Sequence, residues 1–542
     1  MNKKQLIISK DYREQNKNHT MKTILIYIFG IISLSIFGQN RQADQDFCKQ
    51  SIIESLIPIR PGIPGKQPFW NGKASMFKYA PSFQNENTSW IISKPKEYRY
   101  SAFSFSDKQY YTFMAETPYE TLSPIWDKLP NGEVNLKVEA ISDNGLDIVL
   151  AGSRSFYKAA VFCPPYPEAK YSYKDAFLKG MQFMYNQKHI QNWHNTGKPN
   201  HSEHEFYCYS ALEVGSVIDA MLMYNGLFPK KDSSLVIARS AADYLIKNSE
   251  SATSPLAYFP QIYEGGNFTA EKFSKEIIMI QPSRTGKTYL ALYDKTKEKK
   301  YLNAAINIAN TYIKNQLPSG TWYIRINKET GKPTSDVLCI PTAIIDLLSE
   351  LVIRYEQPQY QKSIDSAIEW IWLNPMKTFD WTGQFEDVEA VEPYKNLTKY
   401  EASWFAQYLL NNLDKDISYA RLAKELIAFC EDQFVVWEKP EMYDNWNNST
   451  KRWQAPSVLE QYLCYVPIDA SAVQMIDTFY LAYKKTGELI YYQKAIALTN
   501  SIVNNQEENG KIPTFWTPGF DQFWNNCMVS SLTVLEKMSA VE

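Results

Sequence analysis

Residues 293–320, YDKTKEKKYLNAAINIANTYIKNQLPSG, recur 190 residues later as residues 483–510, YKKTGELIYYQKAIALTNSIVNNQEENG. Both copies keep the spacing of Tyr-x-x-Thr, then Tyr, Ala-Ile, Asn, Gln and Gly. In each copy the end of one helix is followed by a short turn and by an amphipathic helix that stops near the glycine. The repeat therefore predicts helical hairpins, in which an inner helix precedes an outer one.

Weaker copies of this unit extend over the C-terminal part of the chain. Inner helices are predicted to start near Leu212, Thr342, Ser403 and Ala472, and outer helices near residues 235–249, 360–374 and 417–433. The helix predicted at 172–187 has no earlier partner and the one near 526–539 has no later one, so these two can pair. Six hairpins closed in this way form an (α/α)6 toroid. We expect this toroid to span residues 170–542 as the catalytic domain, with an open helical solenoid as the alternative.

Residues 45–165 have the alternation of strands rather than the period of helices. Strands are predicted at Tyr98–Phe105, Tyr110–Phe113, Val134–Ala140 and Leu146–Leu150. Asn144-Gly145 between the last two is a strong hairpin signal. The stretch 123–138 resembles the middle of a fibronectin type III-like β-sandwich. The expected fold class is therefore mainly α, an (α/α)6 toroid preceded by a small fibronectin III-like β-sandwich as accessory domain.

The N-terminus has the pattern of an export signal over residues 1–38. Lys22 precedes an apolar run from Ile24 to Phe37, which is followed by a small residue. Met21 is the expected true start because the residues before it are polar. Nothing later in the sequence is long and apolar enough for a membrane span. We therefore expect a periplasmic or secreted protein without stable membrane insertion.

Composition excludes several partners and sites. The first 38 residues hold 6 of the 57 Lys and Arg and 2 of the 59 Asp and Glu, so the exported chain has 51 against 57 and a net charge of −6. This balance, without a basic run, argues against nucleic acid as a partner. An anionic oligosaccharide remains suitable because a few local cations suffice to hold it. The seven scattered cysteines include no C-x-x-C, which excludes a disulfide framework and a zinc ribbon and predicts mostly buried free thiols.

The four histidines of the exported chain lie within sixteen residues, at His189, His194, His201 and His204. Histidine gives and takes a proton near neutral pH without a shifted pKa. The segment 192–209, NWHNTGKPNHSEHEFYCY, is therefore predicted to hold chemistry or a ligand site. The alternative is a polar loop whose histidines cap and solvate the start of a helix.

The loops that lead into the inner helices carry nearly all other residues suited to chemistry, and we expect these loops to converge at one end of the ring. The candidate catalytic residues are His201, His204, Tyr207, Arg284 and Tyr394. The candidate substrate-binding residues are His194, Asn195, Trp322, Trp381, Glu386, Asp387, Trp453, Tyr462 and Trp516. Surplus aromatic residues often form stacking surfaces for sugar rings, and hairpin core is the alternative role for these tryptophans.

Three chemistries fit these residues. β-Elimination on a uronic acid needs a group that neutralises the carboxylate, a base for the C5 proton and an acid for the departing oxygen, which His, Tyr, Arg and Asn supply. Hydrolysis of a glycosidic bond needs two carboxylates. The candidates for that pair are Glu203, Asp336, Glu386 and Asp387. A metal site at His201, His204 and Glu205 would lack a third firm ligand, and we expect neither a metal nor a cofactor.

Gly383-Gln-Phe-Glu-Asp-Val388 and Glu431-Asp-Gln-Phe-Val-Val-Trp437 resemble phrases in a group of carbohydrate-active proteins that Bacteroidetes export for polysaccharide utilisation. Together with the export signal, the sandwich and the toroid, the likeness covers most of residues 45–542. Within that group the chain is similar to enzymes of ulvan degradation that act on uronic acid oligosaccharides, including dehydratases of a terminal uronate and lyases. The resemblance implies a carbohydrate-active enzyme, while the same toroid also serves hydrolases and epimerases.

The clustering of His and Tyr favours elimination over hydrolysis. In this interpretation Arg284 and one histidine hold the uronate carboxylate. His204 or Tyr207 takes the C5 proton, and Tyr394 protonates the departing oxygen. Hydrolysis by the pair Glu386-Asp387, of glucuronyl-hydrolase type, is the second hypothesis. A non-catalytic glycan-binding protein, which would need the aromatic residues but not the histidines, is the third.

Overall fold

The computed structural model describes residues 95–116, 122–158, 160–230, 233–266, 268–378, 381, 398–437, 455–460, 467–516 and 522–541, and the structural statements below concern these residues. Their helices are α1 (Ser123–Trp126), α2 (Tyr173–Asn186), α3 (Lys188–Thr196), α4 (Ser210–Leu227), α5 (Ser233–Lys247), α6 (Phe268–Lys272), α7 (Gln281–Thr296), α8 (Lys299–Asn315), α9 (Thr342–Tyr355), α10 (Gln361–Leu373), α11 (Pro375–Thr378), α12 (Tyr400–Asn411), α13 (Tyr419–Phe434), α14 (Asp469–Thr486), α15 (Leu489–Asn505) and α16 (Asn525–Ser539). Their strands are β1 (Pro95–Ser104), β2 (Gln109–Ala115), β3 (Gly132–Ser142), β4 (Ile148–Lys158), β5 (Glu276–Ile278), β6 (Arg325–Asn327), β7 (Val435–Val436) and β8 (Ser457–Val458).

Twelve helices of this described part form a double ring. Helices α4, α7, α9, α12, α14 and α16 pack side by side in this order, and α16 packs against α4, which closes the inner ring. Each inner helix has an outer helix against it. The outer helices α5, α8, α10, α13 and α15 directly follow their inner partners, whereas α2 covers α16. The predicted pairing of the first helix with the last is confirmed, and it makes the structure a closed ring rather than an open solenoid.

The repeated glutamine and glycine join neighbouring hairpins. Gln506, just after α15, donates from Nε2 to the carbonyl of Gly510 at 2.8 Å and to that of Ala176 in α2 at 3.0 Å. Gln316, just after α8, forms the same two bonds, to the glycine four residues later at 2.8 Å and to a carbonyl of α10 at 3.0 Å. The repeat thus encodes a contact between successive outer helices, and its second copy ties α15 to α2, the outer helix that pairs with α16.

A four-stranded antiparallel sheet precedes the ring, in the order β2-β1-β3-β4. β3 and β4 form the predicted hairpin, in which Gly145 has a φ of 70° and Ser142 N donates to Asp147 O at 3.0 Å. The stretch after β2 contains the short helix α1. A sandwich needs a second sheet, and residues 45–94 of the predicted domain lie outside the described residues. The fibronectin-like sandwich and the domain boundaries therefore stay predictions.

The predicted signal peptide, residues 1–38, also lies outside the described residues, and so does the predicted start at Met21. Among the helices that the structure describes, none combines the length and the apolar character that a bilayer span requires. Five described cysteines form no disulfide, and of these Cys163 is exposed and four are buried, as expected. These four are Cys208, Cys339, Cys430 and Cys527.

Candidate active site

The first turns of the inner helices bring buried polar residues to one end of the ring. All inner helices run in the same direction, because each outer helix returns the chain to this end, so their N-termini meet there. The residues are Glu213 of α4, Gln281 of α7, Thr342 of α9, Glu401 of α12, Asp469 and Ser471 of α14, and Asn525 of α16. We call this end, defined by these residues, the mouth. Helix N-termini carry partial positive charge, and the carboxyl groups of Glu213, Glu401 and Asp469 are buried beside this charge.

A histidine–glutamate pair lies at the mouth, between α4 and α16. His204 Nε2 and Glu213 Oε2 are 2.6 Å apart, and the two side chains are 6% and 0% exposed. Glu213 also accepts the backbone N–H groups of Asn525 at 3.0 Å and Asn526 at 3.3 Å. Because this carboxylate serves as the acceptor for backbone donors, Nε2 of His204 is the donor of the pair. Nδ1 is then left as the acceptor nitrogen of His204.

A second histidine stacks on this pair. The rings of His189 and His204 are nearly parallel, at 15°, with centroids 4.6 Å apart. His189 Nε2 lies 3.2 Å from Asn525 Oδ1, to which it donates. Burial, assisted by the nearby His204, lowers the pKa of His189 to about 3. His189 therefore stays neutral at physiological pH, and it positions the ring of His204 without competing for a proton.

Tyr207 is a buried proton donor beside His204. Its ring is edge-on to that of His204, with centroids 4.9 Å apart, and the side chain is fully buried. Trp193 Nε1 donates to the phenol oxygen at 2.9 Å. Burial raises the pKa of Tyr207 above its usual range. The phenol thus keeps its hydrogen at neutral pH, and of the two bases considered from sequence only His204 suits that role.

Arg284 supplies a cation on the next hairpin, in the first turn of α7. Its side chain is partly exposed, and its guanidinium carbon lies 5.2 Å from the centroid of the Tyr400 ring. Burial raises the pKa of Glu401. Two groups oppose this rise: the hydroxyl of Thr398, which donates to the carboxyl at 2.8 Å, and the charge of Arg284. The contact of Arg284 with the Tyr400 ring therefore joins α7 to α12 across the mouth.

Lys399 is a buried cation immediately before α12. Its ammonium donates to the carbonyl of Glu460 at 2.7 Å and to the hydroxyl of Ser471. Burial lowers the pKa of Lys399 to about 8, although the charges of Glu460 and Glu401 act in the opposite direction. A fraction of the Lys399 side chains is therefore neutral slightly above physiological pH.

Asp469, the first residue of α14, is a buried carboxylic acid. Its carboxyl accepts hydrogen bonds from Ala470 N at 2.7 Å and from Ser531 Oγ at 3.0 Å, and the residue is 0% exposed. Burial raises the pKa of Asp469 to about 8 because these two bonds only partly replace the lost hydration. Asp469 is therefore mostly protonated at pH 7.

The wild type is expected to lose stability as the pH rises from about 4 to about 8, and Asp469→Asn is expected to remove this loss. An aspartate of the unfolded chain titrates near pH 4, whereas Asp469 in the folded protein titrates near pH 8, so unfolding releases a proton between these values. The free energy of unfolding of the wild type should fall by about 1.4 kcal/mol per pH unit over this window and stay level above it, from this residue alone. Urea denaturation at pH 5, 7 and 8.5 measures the difference between the two proteins. The same pH dependence in both would contradict the prediction.

The other residues predicted from sequence lie in two settings. His194, Asn195 and His201 are exposed on the segment before α4. Tyr394, Glu386, Asp387, Trp453 and Tyr462 lie outside the described residues. Across the described ranges, no three His, Cys, Asp or Glu side chains come together as a possible metal site. The structure thus brings His204 and Tyr207 together, with Arg284 on the adjacent hairpin, and it leaves His201 at the surface.

Three tryptophans of the predicted binding surface are buried. Trp322, Trp381 and Trp516 are 0%, 0% and 4% exposed. Trp322 also donates from Nε1 to the carbonyl of Tyr312 in α8 at 2.9 Å. These indoles pack in the protein interior and offer no open face to a sugar ring in this structure, so the alternative role as core applies to them.

Sequence reasoning missed several residues of the mouth, above all Glu213, Lys399 and His189. Glu213 had a signal, because it is one of two acids in the otherwise apolar run of α4, SALEVGSVIDAML. An acid in such a run needs a buried partner. No sequence signal marks Lys399 as buried, because a lysine beside a tyrosine and a glutamate is typical of a solvated helix start.

No known protein family matches the sequence, and no curated protein matches it. Solved structures do resemble its fold at low identity. A family 76 glycoside hydrolase from a bovine Bacteroides thetaiotaomicron strain is 11% identical, with 83% of this chain and 94% of that chain covered and a TM-score of 0.46. A D-mannose isomerase is 11% identical, with 70% and 100% covered and a TM-score of 0.47. A polysaccharide lyase is 10% identical, with 83% and 62% covered and a TM-score of 0.41. These likenesses assign no activity to this chain.

Proposed function

We propose that this protein is a carbon–oxygen lyase that acts by β-elimination on uronic acid oligosaccharides of the ulvan type. The observation that carries the proposal is the contact of 2.6 Å between His204 Nε2 and Glu213 Oε2 at the mouth. A histidine whose one nitrogen is fixed by a carboxylate presents its other nitrogen in a defined direction, as a general base requires. His204 is largely buried, with 7% of the residue exposed.

In the proposed reaction, Nδ1 of His204 takes the proton from C5 of the uronate. The electrons of the C5–H bond form a C4–C5 double bond, the C4–O bond breaks, and the departing oxygen receives a proton. Glu213 stabilises the imidazolium that forms, as an adjacent carboxylate does. The products are an unsaturated uronate and either water or a sugar with a free hydroxyl.

One further group, Arg284, suits the charge that develops on the uronate. Arg284 offers a guanidinium for the carboxylate, which takes up negative charge when C5 loses its proton. Asn525 Nδ2, beside the His204–Glu213 pair, is buried and has no hydrogen-bond partner among the described residues. Because it is fully buried, it does not reach a substrate carboxylate in this structure. Tyr394 is the candidate for the acid, because Tyr207, although protonated and edge-on to His204, is fully buried.

Hydrolysis is the second candidate function, and Asp469 is the observation that favours it. A carboxyl with a pKa of about 8 is protonated at pH 7, as a general acid in glycoside hydrolysis must be. Glu386 or Asp387 would then act as the second carboxylate. Against this role, both oxygens of Asp469 already accept hydrogen bonds within the protein. A non-catalytic glycan-binding protein is the third candidate. For all three, we propose that the signal peptide directs the chain to the periplasm or the exterior.

Uronic acid oligosaccharides test the proposal directly. Substrates with a saturated uronic acid at the chain end or inside the chain are incubated with the protein, and the absorbance of the C4–C5 double bond is followed together with product masses. We expect absorbance to grow, with loss of one water for a dehydratase or with chain cleavage for a polysaccharide lyase. Cleavage by addition of water, without absorbance, would favour hydrolysis. If no substrate yields a product, the third candidate, a non-catalytic glycan-binding protein, is the one that remains.

A further inference from the structure

The inner ring encloses a polar lumen. Each inner helix is covered by an outer helix, yet it carries a stripe of partly or fully exposed residues at helical spacing, such as Arg284, Lys287 and Ala291 on α7. Stripes of neighbouring inner helices are bound to one another, since Lys537 of α16 donates to Asp477 Oδ1 of α14 at 2.7 Å. Because the outward faces are covered, the stripes face the axis of the ring, where solvent reaches them.

Three residues on consecutive inner helices form a connected group in this lumen. Lys287 Nζ of α7 lies 3.4 Å from Asp346 Oδ2 of α9, and Trp404 Nε1 of α12 donates to Asp346 Oδ1 at 3.0 Å. The side chains of Lys287 and Asp346 are 42% and 34% exposed. An ion pair this exposed adds little to stability. Its donors and acceptors are therefore available to a ligand.

The chemistry of this group suits a sugar ring with free hydroxyls. Asp346 offsets the charge of Lys287, and together they offer acceptors and donors for hydroxyls, which both donate and accept. Trp404 adds a flat apolar surface for the C–H face of a pyranose. Tyr408 lies almost parallel to Trp404, at 14° with ring centroids 6.0 Å apart, and fixes the orientation of the indole.

The group lies one turn deeper in the ring than Arg284. Lys287 follows Arg284 by three residues on the same stripe of α7, which is a rise of about 4.5 Å. Asp346 and Trp404 each occupy the fifth position of their helices, and their contact places them at one level. A lumen enclosed by six helices admits a polysaccharide only by its end, because the chain cannot pass sideways through the ring.

We propose that Trp404, Asp346 and Lys287 form a sugar-binding subsite for a neutral sugar at the end of a uronic acid oligosaccharide. The neutral sugar stacks on Trp404, and its hydroxyls bind Asp346 and Lys287. The neighbouring uronate then lies one turn nearer the mouth, at Arg284. This inference rests on the proposed function, and it adds that the protein recognises chain ends.

Binding of defined sugars tests the subsite separately from catalysis. Glucuronic acid and disaccharides of glucuronic acid with a neutral hexose or deoxyhexose, in either order, are titrated into the full chain by isothermal calorimetry. A His204→Gln background prevents turnover. We expect one disaccharide to bind at least about tenfold more tightly than glucuronic acid, because it also occupies the subsite. Trp404→Ala is expected to abolish this preference and Asp346→Asn to reduce it.

Trp372→Phe provides the matched control. Trp372 is a partly buried tryptophan of the outer helix α10, 5.3 Å from the ring of Phe405 by centroids, and does not lie on a lumen stripe. This variant should keep the preference for the disaccharide. The proposed subsite would be overturned if Trp404→Ala kept the full preference for the disaccharide over glucuronic acid. It would also be overturned if the protein with an unchanged subsite bound all probes with equal affinity. If Trp404→Ala does not fold, Asp346→Asn, which preserves shape, decides in the same way. Tight disaccharide binding to the His204→Gln background, together with no ultraviolet-absorbing product when the wild type is incubated with the same disaccharide, would instead overturn the proposed elimination.

Discussion

His204→Gln is expected to lower the rate of uronate elimination about a thousandfold, within the range that general-base catalysis contributes. Glutamine has no nitrogen that takes up a proton, but its amide can still donate to Glu213, the partner of His204 at 2.6 Å. The variant therefore removes the base while it keeps the hydrogen bond at the mouth. The growth of ultraviolet absorbance on an oligosaccharide that the wild type converts measures the effect, with substrate well above its KM.

Two further variants show whether the loss reflects the base. Glu213→Gln should lower the rate as well, because the carboxylate that stabilises the imidazolium is gone. Lys198→Gln, an exposed change in the same segment, should keep the wild-type rate. Thermal unfolding shows that each variant is folded. A folded His204→Gln variant with more than half of the wild-type rate would contradict the proposed role of His204. Hydrolytic activity that survives in this variant would favour the carboxylates instead.

The ring could be predicted from the sequence because its determinants are local and repeated. The repeated threonine makes the same hydrogen bond in both copies, at the end of the inner helix. Thr296 Oγ1 donates to Leu292 O at 2.8 Å, and Thr486 Oγ1 donates to Ala482 O at 2.8 Å. Such contacts span four residues, so they leave a readable spacing in the sequence. Closure of the ring followed from counting hairpins, since α2 and α16 had no other partner.

The mouth could be predicted only in outline, because its partners are far apart in sequence. Glu213 binds backbone groups of Asn525 and Asn526 more than 300 residues away. Lys399 binds the hydroxyl of Ser471 on another hairpin. The histidine cluster indicated the right segment, because His204 and Tyr207 lie at the mouth. Periodicity could not separate the buried His204 from the exposed His201 three residues earlier, since both lie outside the regular helices.

Ring closure depends on the second copy of the repeat, and Gly510→Ala is expected to lower the free energy of unfolding by about 3 kcal/mol or more. Gly510 has a φ of 97°, which residues with a Cβ rarely adopt. A Cβ at this position would overlap the backbone carbonyl of Lys179 in α2. That carbonyl belongs to α2, which packs against α16, so it cannot move away without loosening the junction between α15 and the closing pair of α2 and α16. Urea denaturation of the two proteins measures the difference.

Gly487→Ala separates the overlap from the cost of the backbone conformation alone. Gly487 also has a positive φ, of 74°, but a Cβ there would meet no atom within 4 Å. This variant should lose only about 1 kcal/mol, the cost of a left-handed conformation for alanine. Gly320→Ala, in the first copy of the repeat, should resemble Gly510→Ala because its Cβ would overlap the carbonyl of Ser366. Equal losses for Gly510→Ala and Gly487→Ala would show that the close approach of α2 does not determine stability. A larger loss at both Gly510 and Gly320 would show that each copy of the repeat holds one junction of the ring.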